Sequence, residues 1–164
     1  MLLYLMRHGI AIDRDDPNAP PEAERHLTPK GVEKTREAAR GLRALGVKPR
    51  TVLSSPYLRA LQTAEIVCEE LDLSLSKLRR TPELLPEAAA ADFFRALRKL
   101  HAEEVICFGH APNMDHLIAH ALGAAHPVTV LKKAGVACVE LQAPGARRGT
   151  LQWVVTPKML RKMN

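Results

Sequence analysis

Short apolar runs recur along this chain, and each is followed by a stretch with helical spacing. "LLYLM", "TVL" and "EVICF" are the clearest of these runs, and each ends in polar or glycine residues. Runs of that length bounded by turn signals are strands. The helices between them carry start and stop signals. In "LTPKG", Thr28 is the expected N-cap, Pro29 takes the first helical position, and the spacing continues to Leu45, where Gly46 stops it. "SSPYLRALQTAEIVCEEL" repeats the pattern, with Ser55 as the expected cap and Pro56 first in the helix. A short strand is predicted in "SKLRRTPEL", and a helix in "EAAAADFFRALRKLH" with Glu87 in its first turn. "EVICFGH" reads as a buried strand, and "APNMDHLIAHALG" as a helix that starts behind Pro112 and ends at Gly123. "GVACVELQ" and "GTLQWVVT", separated by "APGARR", predict a closing antiparallel pair at the sheet edge. Alternating strands and helices indicate an α/β protein, a three-layer α/β/α sandwich around a mostly parallel sheet. With 164 residues, no repeat and no long linker, a single domain spanning 1–164 is expected.

Several classes drop out on composition. The N-terminal apolar run ends at Arg7, too short for a signal-peptide core, and no run approaches the ~20 residues of a membrane helix. A cytoplasmic protein without a membrane partner is expected. Cys68, Cys107 and Cys138 are odd in number, lie far apart in apolar stretches and read as buried reduced thiols. The formal charge of +6 points to an anionic partner. The basic residues are scattered and aromatics make up only 4%, so no nucleic acid partner is expected. A small anion or a phosphorylated protein suits the charge.

In open α/β sheets, ligands bind beyond the carboxyl ends of the strands. The first strand delivers Arg7, His8 and Gly9 there. The second delivers Ser54 and Ser55 and then a helix whose first turns hold Arg59, and the strand "EVICFGH" delivers Gly109 and His110. Glycine beside each histidine is expected to let the backbone turn sharply and a ligand approach closely. Two arginines offer planar forks that match phosphate oxygens, and a helix N-terminus adds donors. Such an electropositive cup suits a phosphoryl group. A neutral imidazole there can attack phosphorus, and neighbouring arginines favour its neutral form.

"LMRHG", "LSSPYLRALQTAE" and "FGHAPNM" resemble the three signature blocks of the histidine phosphatase superfamily, also called the phosphoglycerate mutase-like group. They stand in the family's order over roughly the first 120 residues. The short chain and "RHGIA…LTPKG" look most like the SixA-type phosphohistidine phosphatases. The resemblance implies that His8 is the phosphorylated nucleophile, and that Arg7, Arg59 and His110 clamp the phosphoryl oxygens. Arg25 in "ERHLTPKG" matches a position where related chains often carry arginine, and is a pocket candidate. The family's general acid comes from the segment after the third strand in larger members. Here "TPELLPEAAAADFF" offers Glu83 and Glu87, and Asp13 in the first loop is a third option. Glu83 is preferred, because "PELLP" lies nearer the predicted strand end; Glu87 in a helix's first turn is also simply good capping.

Imidazole leaves phosphohistidine more easily than an alkoxide leaves a sugar phosphate, because it takes up a proton near neutral pH. A short chain also leaves its pocket open. Both points favour phosphohistidine on a protein as substrate. A small phosphorylated molecule is the alternative, and a non-catalytic phosphate-binding module is the third reading. Ser54, Ser55 and Tyr57 are expected to line or support the site, and Asn113 to face it from the first turn of its helix. His116 and His120 stand four apart, but Leu117 follows where a zincin needs Glu, so no metal and no cofactor are expected. A cysteine phosphatase would need Arg where Asn113 stands after Cys107, and no glycine-rich phosphate loop exists.

Overall fold

The computed structural model describes residues 1–163. Six strands form one sheet in the order β3-β2-β4-β1-β5-β6. They are β1 (Leu2–Arg7), β2 (Thr51–Ser54), β3 (Leu78–Arg80), β4 (Glu104–Gly109), β5 (Val136–Glu140) and β6 (Thr150–Val155). The first four run parallel to one another. β5 pairs antiparallel with β1, and β6 antiparallel with β5. The closing pair therefore forms as expected, but of the two only β6 lies at a sheet edge, the opposite edge being β3.

Alternation along the strands divides the core in two. Leu3, Leu5, Val105 and Cys107 face α3 (Ala90–Leu97) and α4 (Asn113–Leu122), whose Phe93, Phe94, Met114 and Leu117 cover them. Tyr4, Met6, Ile106 and Phe108 face the other way, under α1 (Pro29–Ala44), α2 (Leu58–Glu70) and the short α5 (Pro157–Leu160). This is the three-layer sandwich, built because successive side chains of a strand leave on opposite faces. All three cysteines are buried and free, Cys107 in one layer and Cys68 and Cys138 in the other. Among the described residues no helix is long and apolar enough to cross a membrane.

Two helix starts differ from the sequence reading. Thr28 caps α1 as expected, its hydroxyl accepting from Gly31 N–H. Ser55 does not cap α2, which begins at Leu58 behind Tyr57. The Ser55 hydroxyl instead pairs with a histidine, as described below. Glu87 precedes α3, which begins only at Ala90, so it is not a first-turn acid. In both cases a polar residue that could have capped a helix is used by the cleft.

Candidate active site

Parallel register between β1 and β4 sets Arg7 opposite Gly109, and His8 N–H donates to the Gly109 carbonyl at 2.9 Å. The next residue of each strand is therefore a histidine at the same sheet end, and the two rings stand 5.1 Å apart between centroids. Above them opens a cleft of about 430 Å³. Five basic side chains line it (Arg7, Arg14, Arg25, Arg59, Lys133) against three carboxylates (Asp13, Glu22, Glu87).

Its hydrogen bonds fix the state of His8. Nδ1 lies 2.7 Å from the Gly9 carbonyl, which can only accept, so Nδ1 carries the proton. Nε2 is then the lone-pair nitrogen, and Arg59 Nε–H donates to it at 3.2 Å. Burial pushes the His8 pKa from 6.5 down to about 3 despite the Gly9 bond, with Arg59, Arg7 and Lys133 pressing the same way. Burial outweighs the arginines that the sequence reading credited with this effect. His110 is lowered to about 2, again first by burial and then by His8 and the arginines. Its Nε2 pairs with the Ser55 hydroxyl at 2.8 Å, and its buried Nδ1 has no partner. The site therefore holds two neutral imidazoles among cations.

Arg59 is almost fully buried, 2% exposed, and its fork is fully engaged. Beyond His8, its Nη1 donates to the Glu22 carbonyl and its Nη2 to Glu22 Oε1, each at 2.8 Å. Arg25 donates to the same carboxylate through Nε at 2.8 Å and Nη2 at 2.7 Å, and to the Ile12 carbonyl through Nη1. The Arg25 bonds, with the Arg59 and Arg14 charges, hold the Glu22 carboxyl down at about 2. Arg7 donates through Nη1 to the Leu131 carbonyl, and its buried Nε is unpartnered. Tyr57 stands edge-on to the His110 ring, with the Arg59 guanidinium over its own face.

Of the expected residues, His8, His110, Arg7, Arg59 and Arg25 all line this one cleft. Ser55 supports it through His110. Three placements differ from expectation. Glu83 sits in a single turn of 3₁₀ helix, accepts a bond from the Thr81 hydroxyl, and lines a different cavity beside α3. Asn113 is buried and donates through Nδ2 to the Leu85 carbonyl at 2.6 Å, so it holds the loop before α3 rather than facing the cleft. Gly9 does not line the cleft and its φ is not positive. Its missing side chain is explained by packing, because a Cβ there would collide with Thr35 Oγ1 of α1. Of the two alternative acids, Glu87 and Asp13 both line the cleft. His116 is exposed and His120 stacks on Phe94 at 4.6 Å; among the described residues no cluster that could hold a metal occurs.

Sequence reading missed Glu22 and Lys133. The Glu22–Arg25 spacing of three residues in an otherwise proline-rich loop was the available signal for the first. Lys133 reaches the cleft because Ala134 N–H bonds back to the Arg7 and His8 carbonyls, 3.0 and 3.1 Å, which seats the segment before β5 against the end of β1.

Comparison with known proteins agrees with this geometry. A family model for the histidine phosphatase superfamily (branch 1) matches residues 3–85. The phosphohistidine phosphatase SixA of Escherichia coli K12 is 31% identical over 161 residues, covering 96% of this chain and 94% of that one. An uncharacterized protein of Picosynechococcus is 35% identical over 155 residues, covering 90% and 88%. The solved structure of the protein histidine phosphatase SixA complexed with tungstate superposes with a TM-score of 0.84 at 31% identity, covering 98% and 99% of the two chains.

Proposed function

The chain belongs to the histidine phosphatase superfamily and is a phosphatase, and from that premise we propose that it hydrolyses phosphohistidine carried on a protein, through a phospho-His8 intermediate. The observation that carries the reading is the His8 tautomer: a neutral ring with its Nε2 lone pair held toward a cationic cleft.

In the first step the Nε2 lone pair attacks phosphorus, the bond from phosphorus to the substrate imidazole breaks, and that imidazole takes a proton from solvent. Arg7, Arg59 and Arg25 receive the negative charge on the phosphoryl oxygens, with His110 beside them. Arg59 Nε–H must leave His8 Nε2 as the new bond forms, and a phosphoryl oxygen is the acceptor waiting for it. In the second step water attacks the phosphorus of phospho-His8, the bond from phosphorus to Nε2 breaks with its electron pair returning to Nε2, and a proton of the water passes to solvent as phosphate leaves.

The carboxylates support this substrate class. Glu83 faces away from the cleft and Glu22 is locked as an anion, so neither supplies the proton an alkoxide leaving group requires. Imidazole requires much less help. Similarity to SixA over nearly the whole chain favours the same class, and three unpaired buried thiols favour the cytoplasm. One observation supports a second reading: Glu87 and Asp13 do line the cleft, and either could serve a small phosphomonoester.

The test is phosphate release, in EDTA, from a histidine-phosphorylated protein and from a panel of sugar phosphates, with wild type and His8→Ala. Release from phosphohistidine that depends on His8 is expected. Preference for the sugar phosphates would replace the substrate while keeping the mechanism, and phosphate binding without turnover would leave a binding module.

A further inference from the structure

On the other side of Arg7 lies a second cleft, of about 380 Å³, which shares Arg7 and Lys133 with the first. Lys34 of α1, Lys132 and Lys133 before β5, and Arg161 after α5 surround it, and among the described residues none that lines it is a carboxylate. The acids nearby are engaged. Glu37 pairs with Arg161 at 3.3 Å, and Asp115, which acts on Arg7 through its charge, has Oδ1 taken by the Thr129 hydroxyl and Leu131 N–H. Among the described residues Lys34, Lys132 and Lys133 form no ion pair.

Between these cations the wall is mostly apolar, formed by Ile10, Ala134 and Pro157 with Thr35 beside them. A free phosphate is bound by donors that converge on one point. Lysines spread over separate elements around an apolar floor instead match a peptide, whose carboxylates reach the rim while its aliphatic stems rest on the wall.

We infer that this second cleft docks an acidic segment of the phosphorylated protein, adjoining the phosphohistidine that enters the first. The inference rests on the protein-phosphohistidine reading given above. Because both clefts share Arg7 and Lys133, one partner surface engages them together, and the net charge of +6 finds a use in steering that encounter.

Two phosphohistidine peptides test this, one flanked by Asp and Glu and one by Asn and Gln, with free phosphohistidine as control. The enzymes are wild type and the double variant Lys34→Glu, Lys132→Glu, neither position lying in the first cleft. At low salt, wild type should show a KM about tenfold lower for the acidic peptide at equal kcat. High salt and the double variant should each abolish the difference, with free phosphohistidine turned over equally by both enzymes. Equal KM values for the two peptides in wild type overturn the inference while the substrate reading stands. Binding of an unphosphorylated, fluorescent acidic peptide separates the opposite case. If wild type turns over no phosphohistidine species but still binds that peptide through Lys34 and Lys132, the substrate reading falls and the acidic docking cleft stands. An oligonucleotide of equal charge that binds as tightly through the same lysines overturns the acidic-peptide assignment.

Discussion

Arg59 Nε–H donates to His8 Nε2 across 3.2 Å, so the buried arginine and the lone pair proposed as nucleophile hold each other in place. An arginine is suited to this because its Nε points at the ring while its two Nη groups remain anchored on Glu22. A lysine brings the charge without the fork. Arg59→Lys should therefore lower kcat by about a hundredfold to a thousandfold, the cost of losing a positioned transition-state donor. Steady-state kinetics on an aryl phosphate checks this, and a loss below tenfold would assign Arg59 a purely electrostatic role.

The two histidines make a prediction about acid. Both have folded pKa values far below 6.5, about 3 for His8 and about 2 for His110. Between 6.5 and those values the unfolded chain binds protons that the folded chain refuses, so their contribution destabilises the fold progressively as pH falls through that window. The slope is about 1.4 kcal/mol per pH unit for each such histidine. Urea denaturation just above the carboxylate range should show this slope, and His110→Gln should remove about half of the histidine part. For the same reason activity should show no acid limb at the ordinary imidazole value.

Glu22 occupies nitrogens of both Arg25 and Arg59 that a phosphoryl group would also seek. Glu22→Gln removes a negative charge from the cup and keeps the shape. Inorganic phosphate should then bind about tenfold more tightly, and kcat should fall as Arg59 loses an anchor. Calorimetric titration with phosphate reads the first effect. Weaker phosphate binding would mean that Glu22 contributes by ordering the arginines rather than by competing for them.

Gly9 supplies a packing test. Gly9→Ala should cost about 1–3 kcal/mol through overpacking against Thr35. Trimming the obstacle with Thr35→Ala should recover part of that loss, measured as the urea midpoint of the double variant against each single one. If the pair is simply additive, the collision with Thr35 is not the reason for glycine there.

The fold and the floor of the site could be read from residues alone because they follow from period and strand ends. Strand alternation set the two core layers, and the ends of β1 and β4 delivered His8 and His110. What escaped reading depends on side-chain direction in irregular backbone. Nothing in "TPELLP" says that Glu83 turns to Thr81, since a single 3₁₀ turn has no period to consult. Ser55 looked like a cap because Ser-Pro usually is one, and only the tertiary contact with His110 diverts it. Glu22 opens another single 3₁₀ turn, and its carboxylate is held by Arg25 and Arg59.

The pairing of Arg7 with Gly109 has a consequence for how this chain can change. Side chains of a strand alternate between its faces, so adding or deleting one residue in either β1 or β4 would turn an imidazole out of the cleft and bring its neighbour in. A one-residue insertion in either strand is thus excluded, in contrast to one in the turn between β5 and β6, which carries no residue of the cleft. A library of single-codon deletions should show activity lost throughout β1 and β4 and kept in the turn between β5 and β6, a footprint by which this ladder could be located without any coordinates.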